Sequence, residues 1–184
     1  MARDHTTRGP WLAGLGGALA LAATVLLPFH LGGGYGTVIA IGFLAGGVLL
    51  ALVSIDLAAR LPRDGGGRWM RNWATLGAAG FFVAGLGLVA DVAGRPAIPA
   101  EIAAIMATAA WWGAAWWFLR RRRPTGFARF SLLAAAASIA ALIGQIVLDP
   151  PAGAVPARFA YVLWGPWGLW LAAVLARGVG PKGS

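Results

Sequence analysis

The basic residues of this chain fall almost entirely at alternate ends of six apolar segments. The segments read as 11–28, 35–59, 74–93, 98–119, 130–148 and 159–176. Each is about 18–25 residues long, enough at 1.5 Å of helical rise per residue to cross a hydrocarbon layer of about 30 Å. A backbone in lipid must satisfy its own hydrogen bonds, which leaves helices or closed barrels. Barrel strands would be about ten residues long and alternate polar with apolar. Nothing here alternates. The pattern predicts an all-α polytopic membrane protein, a six-transmembrane-helix bundle over 11–177 built as three helical hairpins, with tails over 1–10 and 178–184. A chain that is 59% hydrophobic and only 11% charged is no ordinary water-soluble domain.

Charge asymmetry gives the orientation. Thirteen basic residues lie on one side: Arg3 and Arg8, then Arg60, Arg63, Arg68 and Arg71, then Arg120, Arg121, Arg122, Arg123 and Arg129, and finally Arg177 and Lys182. The other side has only Arg95 and Arg158. Both termini are therefore expected in the cytoplasm, with the bundle in the cell inner (plasma) membrane. The net charge of +9 is accounted for by topology and by anionic headgroups, so nucleic acid is not an expected partner. The run Arg120–Arg123 reads first as the flank that stops a helix from translocating, and only second as a lipid headgroup site. The first apolar segment is too long for a signal peptide and reads as a retained helix.

Several chemistries are excluded. Without cysteine there are no disulfides, thiolate ligands or iron–sulfur clusters. The one lysine lies in the C-terminal tail, so no Schiff base forms inside the bundle. Two histidines cannot build a metal centre, and Gly65-Gly-Gly67 lacks the lysine and flanking pattern of a phosphate loop. It reads as a flexible turn. No cofactor is expected.

Polar residues in or beside the spans are the candidates for function, because a charge at mid-membrane costs about 2.5–3.5 kcal/mol even on an insertion scale. Asp56 stands four residues before Arg60, the spacing of an ion pair on one helix face. Towards the exoplasmic side Asp91 ends the third span, Glu101 begins the fourth and Asp149 ends the fifth. His30, Tyr35, Arg95 and Arg158 share that layer. It reads first as a salt-bridged rim and second as a polar mouth above a cavity. Ser138, Gln145 and Asp149 share a stripe of the fifth span that should face inward. The glycine pair Gly42/Gly46, the glycines at 77, 80, 85 and 87, and Ala134–Ala137 offer smooth faces for helix packing, within the bundle or in a homodimer. The second and third hairpins share the spacing from Pro99 to Arg120 and from Pro156 to Arg177, which any two tight turns between spans would also produce.

Tryptophan is in excess, with ten residues. Trp11, Trp69, Trp73, Trp116 and Trp117 fit an interfacial belt. Trp111, Trp112, Tyr161, Trp164 and Trp167 lie deeper, and Gly165-Pro166 should kink the sixth span and open space beside it. These residues point to three kinds of protein. In the first, a Trp-lined cavity holds a hydrophobic or amphipathic small molecule of lipid or isoprenoid type, with Gln145, Arg158 and His30 at its polar mouth. The second is an enzyme in which a protonated Asp91, Glu101 or Asp149 starts a cyclisation beside indole faces. The third is an accessory subunit bound to a partner membrane protein. In size, span number and cytoplasmic termini the layout resembles the substrate-binding subunits of energy-coupling-factor vitamin transporters. That resemblance implies a transport role and carries over no site residue.

Overall fold

The computed structural model describes residues 8–30, 36–60, 65–95, 98–120, 125–148 and 159–177. All the regular structure among them is helical: α1 (Arg8–His30), α2 (Gly36–Arg60), α3 (Gly65–Val92), α4 (Ile98–Leu119), α5 (Thr125–Leu148), α6 (Phe159–Val162) and α7 (Trp164–Ala176). α1 to α5 are each long and apolar enough to cross a membrane, and α6–α7 supplies a shorter apolar helix. The protein is thus an all-helical integral membrane protein.

Two helix starts depart most from the apolar pattern, that of α5, at Thr125 rather than 130, and that of α3. α3 begins at Gly65, well before residue 74, so Gly65-Gly-Gly67 is helix rather than a flexible turn. The reason is a continued buried stripe. Gly67, Met70, Ala74, Gly77, Ala78 and Phe81 recur at three- and four-residue steps, so packing holds the helix together past the polar residues on its other face. At 28 residues α3 is about 42 Å long, more than the hydrocarbon layer requires. Its far end is set by Gly94. With φ of 73° that residue takes the left-handed conformation, and Arg95 N–H donates to the Ala90 carbonyl at 2.8 Å while Gly94 N–H donates to Asp91 O at 2.9 Å. This is the Schellman closure of a helix end.

The helices form a closed ring. α1 packs on α2, α2 on α3, α3 on α4 and α4 on α5, and α7 returns to α1. Small residues make the approaches close. A Cβ at Gly46 would lie 2.9 Å from Gly16 O, and one at Gly17 would lie 2.5 Å from Leu169 N and 2.8 Å from Gly165 O. The Gly42/Gly46 pair therefore faces α1 (Ala23, Gly16 and Ala20) and is used inside the bundle. Gly165 likewise closes the chain onto α1, where its Cβ would sit 2.9 Å from Leu21 Cα. The last span is interrupted at Leu163, between α6 and α7, one turn before Pro166: proline at 166 has no N–H to donate to the Val162 carbonyl, and Leu163 keeps a helical φ/ψ of −77°/−16°. Pro166 is accommodated in the first turn of α7, where a missing N–H costs little.

The third hairpin differs from the first two. α5 and α7 meet through rings, with Phe127 and Phe130 against Trp167 and Trp170 at centroid distances of 5.4–6.3 Å, and their backbones stay apart. α3 and α4, by contrast, are joined over glycines 77, 80 and 87. Among the described residues the two hairpins are therefore closed in different ways, one through glycines and the other through rings.

Candidate functional site

An aromatic column runs through the ring of helices. It starts with Phe43 of α2, Tyr161 of α6 and Trp164 of α7, whose centroids lie 5.0–6.1 Å apart. Phe81 of α3 links Trp164 at 5.0 Å to Trp167 at 5.8 Å and Trp112 at 6.2 Å. The column ends on Phe127, Phe130 and Trp170. Offset and edge contacts at these distances are the favourable ones for aromatic quadrupoles, each worth about 0.5–1.5 kcal/mol beyond area burial. Glycine makes the room. A Cβ at Gly47 would meet Phe81 O at 2.6 Å and Trp164 Cζ3 at 2.9 Å.

The polar atoms of the column divide into two groups. Tyr161 donates to the Ala84 carbonyl at 3.3 Å, and Trp167 Nε1–H donates to Ser131 Oγ at 3.1 Å, which in turn donates to Phe127 O at 3.0 Å. These bonds pin α6 to α3 and α7 to α5. The second group comprises Trp111, Trp112 and Trp164, all buried, whose Nε1–H groups meet no acceptor among the described residues. Such donors are rare in native interiors, since leaving one unpaired costs about 1–3 kcal/mol. Trp111 also lies across Gly77, where a Cβ would come within 2.6 Å of its Cδ1.

Of the acids among the described residues, Glu101 is the deepest, at 2% exposure. It stands in the first turn of α4 and fits a notch over Gly87 of α3, where a Cβ would meet its Oε1 at 2.9 Å. Glu101, Ile105, Thr108, Trp112 and Ala115 form one buried stripe of α4, so the carboxyl and the Trp112 indole face the same interior about 16 Å apart along the axis. Tyr161 meets the same stretch of α3 one turn from Gly87. Asp91 is half-buried near the end of α3, and Arg95 is exposed. Asp149, Arg158, Tyr35 and the side chains of His30, Gln145 and Arg60 lie outside the described residues. Asp56 is half-buried. Ser138 faces the interior, and its hydroxyl donates to Ala134 O at 2.9 Å, so it is satisfied by its own helix. Among the described residues no group of histidine, aspartate and glutamate could hold a metal.

Phe43, Phe81, Phe127 and Ser131 were not marked by the sequence. Nothing distinguishes an inward phenylalanine in a helix that is apolar all round. Ser131 did carry a signal, being seven residues before Ser138 and on the same stripe.

A second feature lies on the outside of the ring. Ala18, Leu21, Ala22, Val25 and Leu26 of α1, with Leu169 of α7, line an open apolar groove of about 470 Å³.

The class that this architecture defines is an integral membrane helical bundle with a buried aromatic core. No protein-family model, curated protein or solved structure matches the chain.

Proposed function

We propose that this chain is a six-span protein of the inner membrane with both termini cytoplasmic, and that its interior holds one amphipathic molecule of lipid or isoprenoid size bearing an oxygen acceptor. One observation carries the reading. Tyr161 and Trp167 have internal acceptors, whereas the equally buried indoles of Trp111, Trp112 and Trp164 present donors with none among the described residues. In a low-dielectric interior an unmet donor is costly, and a carbonyl, hydroxyl or phosphate oxygen of a ligand meets it. Tyr161 and Trp167 act as scaffold; Trp111, Trp112 and Trp164 orient the ligand. Arg158, His30 and Gln145 complete the polar end.

The test is native mass spectrometry from mild detergent with extraction of whatever stays bound. A stoichiometric organic molecule is expected with the wild type. Trp→Phe keeps the ring and deletes the donor. Trp111→Phe, Trp112→Phe and Trp164→Phe should each weaken retention several-fold, at about 1 kcal/mol per hydrogen bond, while Trp167→Phe retains it. An empty wild-type protein, or retention only of another polypeptide, would replace this reading with that of an accessory subunit. Equal retention in all four variants would remove the donors from it.

An enzymatic reading is favoured by one further observation, the burial of Glu101 on the Trp112 face of α4. The carboxylic acid would protonate an alkene of the bound molecule, and a later proton loss would return it, so the product is an isomer of the substrate. Incubating the retained molecule with wild-type protein and with Glu101→Gln decides the matter by chromatography of equal-mass species. Isomerisation that continues unchanged in the amide variant rules Glu101 out.

A further inference from the structure

The arginine-rich end of α4 contains an arrangement that the interior site does not use. Arg120 follows α4 directly, with its N–H donating to Trp116 O at 2.8 Å. Its guanidinium carbon lies 3.4 Å from the ring centroid of Trp117 and 5.2 Å from that of Trp116. The two indoles are themselves 6.2 Å apart at 65°, so they form an angled seat for the planar cation. Stacking occupies the face of a guanidinium; with Nε buried, the edge left to fork onto a phosphate is the one formed by the two terminal Nη groups. Arg120 has no acidic partner among the described residues, and its buried Nε meets no acceptor there. No aspartate or glutamate occurs from 102 to 148, while Arg121, Arg122, Arg123 and Arg129 crowd the same stretch. Trp117 is half exposed and lies at the helix end where the aromatic belt meets headgroups.

We propose that Arg120, held on Trp117 and Trp116, is a clamp for the phosphate of an anionic phospholipid. The indoles do three things: they hold the guanidinium plane, they spare it the rotamer entropy of an isolated arginine, and they place it at headgroup depth. The positive charge of Arg120 itself selects net negative charge. A zwitterionic lipid offers the same phosphate but brings a cation up to the guanidinium. A phosphate without acyl chains gains nothing from an indole seat that faces lipid.

The full-length chain, delipidated in mild detergent, is titrated with phosphatidylglycerol or with phosphatidylcholine of the same acyl chains, and the first binding step is read by native mass spectrometry. Phosphatidylglycerol is expected to bind about tenfold more tightly, because phosphatidylcholine brings its choline cation up to the guanidinium together with the phosphate. Arg120→Gln should abolish that difference, and Arg120→Lys, which keeps the charge without the plane, should restore only part of it. Arg95→Gln removes one arginine at the other end of the bundle and should leave the preference intact. The clamp is overturned by equal affinity for the two lipids, by equal losses in Arg120→Gln and Arg95→Gln, or by displacement of the first phosphatidylglycerol with millimolar inorganic phosphate, which would make it a free-anion site. None of these outcomes bears on the interior ligand, so the two proposals fail separately.

Discussion

Gly77 and Gly113 look alike in the sequence, since each is a glycine inside an apolar helix. Their surroundings are opposite. A Cβ at Gly77 would lie 2.6 Å from Cδ1 of the buried Trp111, while one at Gly113 would meet nothing within 4 Å. Trp111 is a large ring held between two helices and cannot step aside cheaply. Gly77→Ala should therefore lower thermal stability in detergent, by about 1–3 kcal/mol for overpacking. Gly113→Ala should leave it unchanged or raise it by up to about 1 kcal/mol, because alanine is the better helix former. Following tryptophan fluorescence on heating distinguishes them, and equal midpoints for the two variants would count against the α3–α4 seat. The glycine-rich face of the third span was legible in the sequence. Which helix it receives was not: glycines 77, 80 and 87 take α4, while Gly85 takes Leu44 of α2. A residue without a side chain carries no mark of its partner.

At the scale of elements, hydropathy located the helices well and their packing poorly. Periodicity has little to say when a helix is apolar on every face, because the contrast between inside and lipid is then small. The deep tryptophans were correctly singled out as interior residues, yet the phenylalanines between them passed unnoticed. The interruption expected from Gly165-Pro166 lies one turn earlier, at Leu163, and Gly165 itself closes on α1. That closure of the first helix on the last was invisible in the sequence, and it can be tested directly. A Cβ at Gly14 would stand 3.5 Å from Cβ of Ala172, within the range a disulfide spans. The chain has no cysteine of its own, so an engineered pair reports without background. Gly14→Cys with Ala172→Cys should cross-link on mild oxidation, giving a faster-running species that reductant reverses. Failure to cross-link in a folded double variant would mean that α1 and α7 are not neighbours.

For the whole molecule, the arginine pattern and the geometry constrain each other. A ring of antiparallel neighbours puts the start of α1, the end of α2, the start of α3, the end of α4, the start of α5 and the end of α7 at one face. Those are the places where thirteen of the fifteen basic residues occur in the sequence. Were α6–α7 to lie along the surface instead of crossing, Arg177 and Lys182 would join Arg95 and Arg158 and the asymmetry would weaken. As a sixth crossing, the 18 residues from Phe159 to Ala176 would measure about 27 Å, enough for a bilayer of ordinary thickness only with the helix nearly upright. Its close contact through Gly165 and Gly168 ties it to α1, a helix long and apolar enough to cross. Fusing a reporter that fluoresces only in the cytoplasm after Ser184 should therefore give signal. A phosphatase active only outside should work when placed after Arg95 and stay silent after Arg123. A silent cytoplasmic reporter at Ser184, with the two internal fusions behaving as stated, would leave five crossings. The aromatic column that α7 completes would then have to form against lipid instead of inside a ring, and Trp164 and Trp167 would lose the burial on which the interior site depends.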